Sequence, residues 1–173
     1  MPVIALILST LAFWLLYWFF QMGGFDHFLN RSAQRKEEAR RSQAREASRL
    51  APLRAMDDPR DAAAVLMLLM ARAHGDPTRE QIAIIENKLR TVFGLEHELA
   101  ERMTQARFIA RQTDSFEHAA GAFADLLKSK LTSDERRQLI EMIEEVARNE
   151  GPSQTQIEAI MAFKPMIGLM PAR

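Results

Sequence analysis

The chain has 173 residues, room for one globular domain and accessory segments, and its 23 Lys and Arg balance 23 Asp and Glu. Whole-chain charge therefore points to no class of partner. With no Cys, disulfides, thiolate metal sites and Cys nucleophiles are excluded. The four His (His27, His74, His97 and His118) are nowhere three to five residues apart, which excludes a helical His–His metal pair.

Residues 3–20 read VIALILSTLAFWLLYWFF, without a charge. As a helix this run spans about 27 Å, close to a bilayer core of about 30 Å. Ser9 and Thr10 can bond carbonyls one turn back. Trp14, Tyr17 and Trp18 fall where an interfacial aromatic belt would lie. A cleaved signal peptide would need a positive n-region and a small-x-small cleavage site. No Lys or Arg precedes the run, and Gln21-Met22-Gly23-Gly24-Phe25 is a poor cleavage site. An uncleaved anchor over residues 1–24 is the expectation.

Residues 25–56 form a basic juxtamembrane helix or linker. Arg31, Arg35, Lys36, Arg40, Arg41, Arg45, Arg49 and Arg54 are opposed by Glu37, Glu38 and Glu46 before the Asp57-Asp58 pair. Positive charge beside a span stays cytoplasmic. The expected topology is a single pass of the cell inner membrane, N-terminus outside and the rest inside. Arg31, Arg35, Lys36, Arg40 and Arg41 are the candidates for contact with anionic head groups, worth about 1 kcal/mol each. A solvated helix with Glu37–Arg41 spacing explains the same residues. No aromatic residue is present there to stack bases, so nucleic acid is not an expected partner.

Residues 57–173 carry six helical patterns. The first has Asp58 as N-cap, Pro59 at the first helical position and Asp61 in the first turn. It runs to about His74 and stops at Gly75. Residues 62–71 are apolar on every side, which places this helix at the centre of its domain. Thr78 and Gln81 form a capping box for the second, with Ile82, Ile85, Leu89, Val92 and Phe93 on its apolar face and Gly94 at its end. The third covers residues 96–112, with Leu99, Met103, Ala106 and Ala110 on one stripe. Asp114 and Glu117 suggest a capping box for the fourth, whose inward residues are Phe116, Ala119, Ala120, Phe123, Leu126 and Leu127. Thr132 and Glu135 open the fifth, with Leu139, Met142, Ile143 and Val146 inward and Gly151 as stop. Ser153 and Gln156 open the sixth, carrying Ile157, Ile160 and Met161 as far as Pro165. No segment keeps a strand period for long, and short connections favour antiparallel neighbours.

Two stretches repeat. Ala71-Arg72-Ala73-His74-Gly75 pairs with Ala147-Arg148-Asn149-Glu150-Gly151, and a capping box comes after each. Ile82 and Ile85 pair with Ile157 and Ile160, and Gly94-Leu95 with Gly168-Leu169. One hairpin cannot bury its apolar face alone; two related hairpins can.

On these residues the chain resembles the TerB-like (tellurite-resistance protein B) family. The same domain occurs in the N-terminal region of the membrane-anchored, DnaJ-like co-chaperone DjlA. The resemblance covers about residues 59–169 and implies an all-α fold: an N-terminal transmembrane helix plus a compact multi-helix TerB-like domain built from two related helical hairpins. No His-Pro-Asp tripeptide occurs, so the expectation is the anchor and TerB-like part without a J domain.

His74, Asp76, Glu80 and Glu150 are the candidate metal ligands, because the repeat can bring the two turns together. Acidic turns also suggest divalent-metal binding in some relatives. An imidazole with carboxylates suits a transition metal better than calcium. Against this, Gly turns attract polar caps, and His74 sits where a helix C-terminus favours a cation. Glu141, Glu144 and Glu145 read as a solvated face. No Ser-His-Asp order, Gly-rich phosphate loop or HExxH is present, so neither an enzyme nor a small-molecule substrate is expected. Met67, Met70, Met103, Met142, Met161, Met166 and Met170 read as core filling. The tail Pro165-Met166-Ile167-Gly168-Leu169-Met170-Pro171 either caps the core or docks onto a partner.

The expected function is a membrane-anchored interaction or scaffold domain with an unidentified protein partner, and the resemblance links it to stress or the envelope. The alternatives are a divalent-metal-binding protein of the tellurite-resistance type and an accessory subunit of a membrane complex. No cofactor beyond a divalent metal is implied.

Overall fold

The computed structural model describes residues 51–169, which all belong to one compact unit. The expected anchor and the basic residues Arg31, Arg35, Lys36, Arg40 and Arg41 lie outside the described residues. Among the described residues there is no strand, and no helix is long and apolar enough to cross a membrane.

Among the described residues, a helical turn at 51–54 is followed by six α-helices and one turn of 3-10 helix: α1 Pro59–Ala71, the 3-10 turn Arg72–His74, α2 Arg79–Thr91, α3 Leu99–Gln112, α4 Phe116–Lys130, α5 Ser133–Arg148 and α6 Gln154–Met166. The sequence places α1 at the centre, and there it lies. Every residue from Ala62 to Ala71 is buried, and α2, α3, α4 and α5 pack around it. Leu53, in the helical turn before Asp57, is also buried in this core.

All three expected capping boxes that begin with Ser or Thr are formed: Thr78 with Gln81, Thr132 with Glu135 and Ser153 with Gln156. Each satisfies two backbone N–H groups that a helix start leaves open. The fourth helix departs from the expected start by one residue. Its N-cap is Ser115, whose hydroxyl accepts the N–H of His118 at 3.3 Å, and not Asp114. Both residue types cap well, so local preference does not choose between them. The chosen register seats Phe116 edge-on against Phe163, ring centroids 5.6 Å apart. The third helix starts at Leu99 rather than residue 96, and its cap residue Glu98 makes no side-chain cap bond.

A second correction concerns α6. Its buried stripe is Gln156, Ala159, Ile160 and Phe163, with Ile167 just beyond, whereas Met161 is 63% exposed and Ile157 38%. Gln156 lies on the inward face, where its amide donates to the Met70 carbonyl at 3.0 Å. The methionines divide accordingly. Met67, Met70, Met103 and Met142 fill the core, and Met161 and Met166 do not.

The end of α6 is a Schellman turn: Leu169 N–H donates to Lys164 O at 2.9 Å and Gly168 N–H to Pro165 O at 3.0 Å. Ile167 is buried and Leu169 packs on the core, so this part of the tail caps the domain. Gly168 has φ +77, and a Cβ there would meet Arg136 Nη1 at 2.9 Å. Arg136 itself donates to the Ile167 carbonyl.

Unfolding in urea tests both features. Phe163→Ala removes a fully buried ring and should cost about 3–5 kcal/mol, while Met161→Ala stays within about 0.5 kcal/mol. Gly168→Ala should cost about 1–2 kcal/mol, through the left-handed backbone and the displaced Arg136.

Candidate functional site

The two repeated turns are built alike. Gly75 N–H donates to Arg72 O at 3.0 Å, and Gly151 N–H donates to Arg148 O at 3.1 Å. His74 ends the 3-10 turn, Asp76 comes after Gly75, Glu80 is in the first turn of α2, and Glu150 lies just past α5. All four side chains are exposed. Among the described residues no group of three or more His, Asp or Glu is placed to hold a metal ion, so no three of this quartet are gathered. The turns serve the packing instead. From the second, Gln156 reaches the end of α1; in the first, the Gln81 side-chain N–H2 is buried and unpartnered while its carbonyl caps Thr78 N–H at 3.0 Å.

Of the acidic residues read as a solvated face, Glu141 is exposed. Glu144 and Glu145 are half-buried and tie helices together: Lys164 Nζ lies 2.9 Å from Glu144, and Lys88 Nζ 2.8 Å from Glu145. His74, His97 and His118 are exposed.

The constellation that sequence reasoning missed centres on Arg102 of α3. Its Nη1 lies 2.8 Å from both Asp58 and Asp61 at the head of α1, and its Nε lies 2.7 Å from Glu98. Asp58 also caps α1 through Arg60 N–H at 2.9 Å and holds the Arg60 guanidinium at 2.6 Å. The Arg102 side chain is 19% exposed, as is that of Asp61. Hydrogen bonds from the Arg60 side chain hold the Asp58 carboxyl well below its ordinary value, against an opposing push from burial. The Arg102 guanidinium is raised, first by its bond to Asp61. The signal available in sequence was an Asp pair in the first turn of one helix and an Arg on another. Nothing local says that they meet.

Beside this network lies an open groove of about 850 Å³. Asp57, Glu98 and Glu101 give it an acidic wall, and Met56 and Phe108 an apolar one. Phe108 is 63% exposed, unusual for so large an apolar ring. The groove can receive a cationic and partly apolar surface.

The arrangement defines a class: an all-helical domain in which α2, α3, α4 and α5 pack around one wholly apolar helix, and in which α1–α2 and α5–α6 are two related hairpins, each with a Gly turn and a capping box. The family model described as Tellurite resistance protein TerB matches residues 60–161, more than half of the chain, from the head of α1 into α6. The chain belongs to the TerB family. No curated protein and no solved structure matches it.

Arg102→Ala leaves the partly buried Asp61 without its ion-pair partner and Asp58 with Arg60 alone. It should destabilise the domain by about 2 kcal/mol, less than the full cost of breaking a buried pair because water still reaches the group. The exposed Arg137→Ala should change stability by less than about 0.5 kcal/mol in the same melts.

Asp58 also sets a pH dependence. Its carboxyl is depressed in the folded state relative to an ordinary 3.8, so its contribution is complete above about pH 5 and is lost as pH falls through and below 3.8. Asp58→Asn should flatten the acid arm of the stability–pH profile and leave the slope above about pH 6 unchanged.

Proposed function

We propose that this chain is a TerB domain anchored in the inner membrane by residues 3–20, facing the cytoplasm, where it acts as a non-enzymatic interaction or scaffold module. The observation that carries this reading is in the sequence. Eighteen uncharged, aromatic-ended residues precede an arginine-rich segment and then the family domain. Such a run prefers lipid to water, and the arginines hold the domain on the cytoplasmic side. Two features of the domain surface support a docking role: the exposed Phe108 and the acidic wall formed by Asp57, Glu98 and Glu101. An exposed ring beside carboxylates offers an apolar contact and a charge complement to a basic, partly apolar partner surface. A link to stress or to envelope upkeep rests on the family resemblance alone.

The chain should stay in the membrane pellet after carbonate washing, and deletion of residues 3–20 should release it. A wild-type chain found in the soluble fraction with residues 3–20 intact would overturn the location. For the role, a detergent pull-down should recover stoichiometric partners that Phe108→Ser with Glu101→Lys loses. Partners lost instead when residues 3–20 are scrambled at constant hydrophobicity would make the chain a subunit docked through its anchor.

A further inference from the structure

Where α2 begins and α3 ends, the surface is concave over about 460 Å³, and Arg72, Arg79, Arg107 and Arg111 all line the hollow. Asp76 is the one carboxylate in that lining. Arg107 lies 3.5 Å from Glu86, a carboxylate that also stands 3.9 Å from Arg90. Arg72 donates one N–H to the Ala110 carbonyl and keeps the rest of its guanidinium. Arg79 and Arg111 are exposed and have no carboxylate partner among the described residues. Four arginines thus line the hollow with one carboxylate, Asp76, and among the described residues only Arg107 is ion-paired, with Glu86 outside the lining. In a chain whose net charge is zero, this is a local excess of positive charge, and it costs self-repulsion unless an anion fills it. Pro77, Arg79 and Ile82 at the start of α2 line the same hollow; the capping box of Thr78 and Gln81 and the carboxylate of Glu80 already answer the helix end there.

We propose that this pocket binds a phosphate-type oxyanion. The planar forks of arginine pair with phosphate oxygens two at a time, and a tetrahedral group offers oxygens to several guanidinium groups at once. The phosphate can belong to a small phosphorylated solute or to an anionic lipid head group; the chemistry is shared. This site is separate from the acidic groove and does not rest on the scaffold reading, because a free phosphate would bind with or without a membrane.

The test uses the full chain in neutral detergent micelles. Thermal melts compare about 10 mM inorganic phosphate with chloride at matched ionic strength, and a short-chain phosphatidylglycerol with the matching phosphatidylcholine. Wild type, and a control in which Arg137 and Arg148 are both replaced by Ala, should show a Tm rise of roughly 2–4 °C. Arg79→Ala with Arg111→Ala should lose the rise while leaving the unliganded Tm no lower, since neither side chain holds the fold together and their removal relieves repulsion. Arg111→Glu, a single exposed change, should lose it too. A rise with inorganic phosphate supports the proposal with a soluble source, and a rise only with phosphatidylglycerol supports it with a head group as source. No rise from either, or a rise that persists in the double variant, overturns it.

Discussion

A helix that is apolar on every side can exist only if other helices wrap it and its polar ends are answered. That requirement organises this domain. From Ala62 to Ala71, α1 gives no side chain to water. Its backbone N–H and C=O groups satisfy one another along its length, so polar demand collects at the two ends. At the head, Asp58 caps the first turn, and Asp58 and Asp61 together take hold of Arg102 from α3. At the tail, the Gln156 amide covers the Met70 carbonyl, and Arg72 crosses to the Ala110 carbonyl. The ion network and the glutamine tie are therefore structural consequences of burying α1, and each fixes where a neighbouring helix lies.

The repeated hairpin meets this demand unevenly. Both copies keep the Gly turn and the capping box, and both capping glutamines are buried. Gln156 spends its amide on α1, whereas the Gln81 amide finds no partner. Doubling a hairpin repeats its local chemistry faithfully. It does not repeat the surroundings, because only one α1 is available to be tied. The turn residues His74, Asp76, Glu80 and Glu150 show the same divergence. They belong to the two matching turns and stay in solvent without gathering.

The surfaces left over are segregated by charge along α3. One face of it, through Glu101, Gln105 and Phe108, borders the acidic groove, and another, through Arg107 and Arg111, borders the arginine hollow. A net charge of zero thus conceals two fields of opposite sign on one helix. Both surfaces lie open to solvent at the rim of the family domain.

The sequence by itself determined the helices, their Gly stops, the three Ser- or Thr-led capping boxes, the burial of α1 and the TerB identity. All of these rest on spacings of three or four residues or on composition, so a chain carries them wherever it goes. Leu139, Met142, Ile143 and Val146 were legible for that reason, and all are buried. Only the tertiary structure decided which face of α6 turns inward, which of Asp114 and Ser115 caps α4, and that Arg102 meets Asp58 and Asp61. The same holds for the four arginines that share one hollow. These depend on distances between helices far apart in the chain. The bond from Gln156 to Met70 spans 86 residues, and no local pattern in the amino acids encodes such a reach.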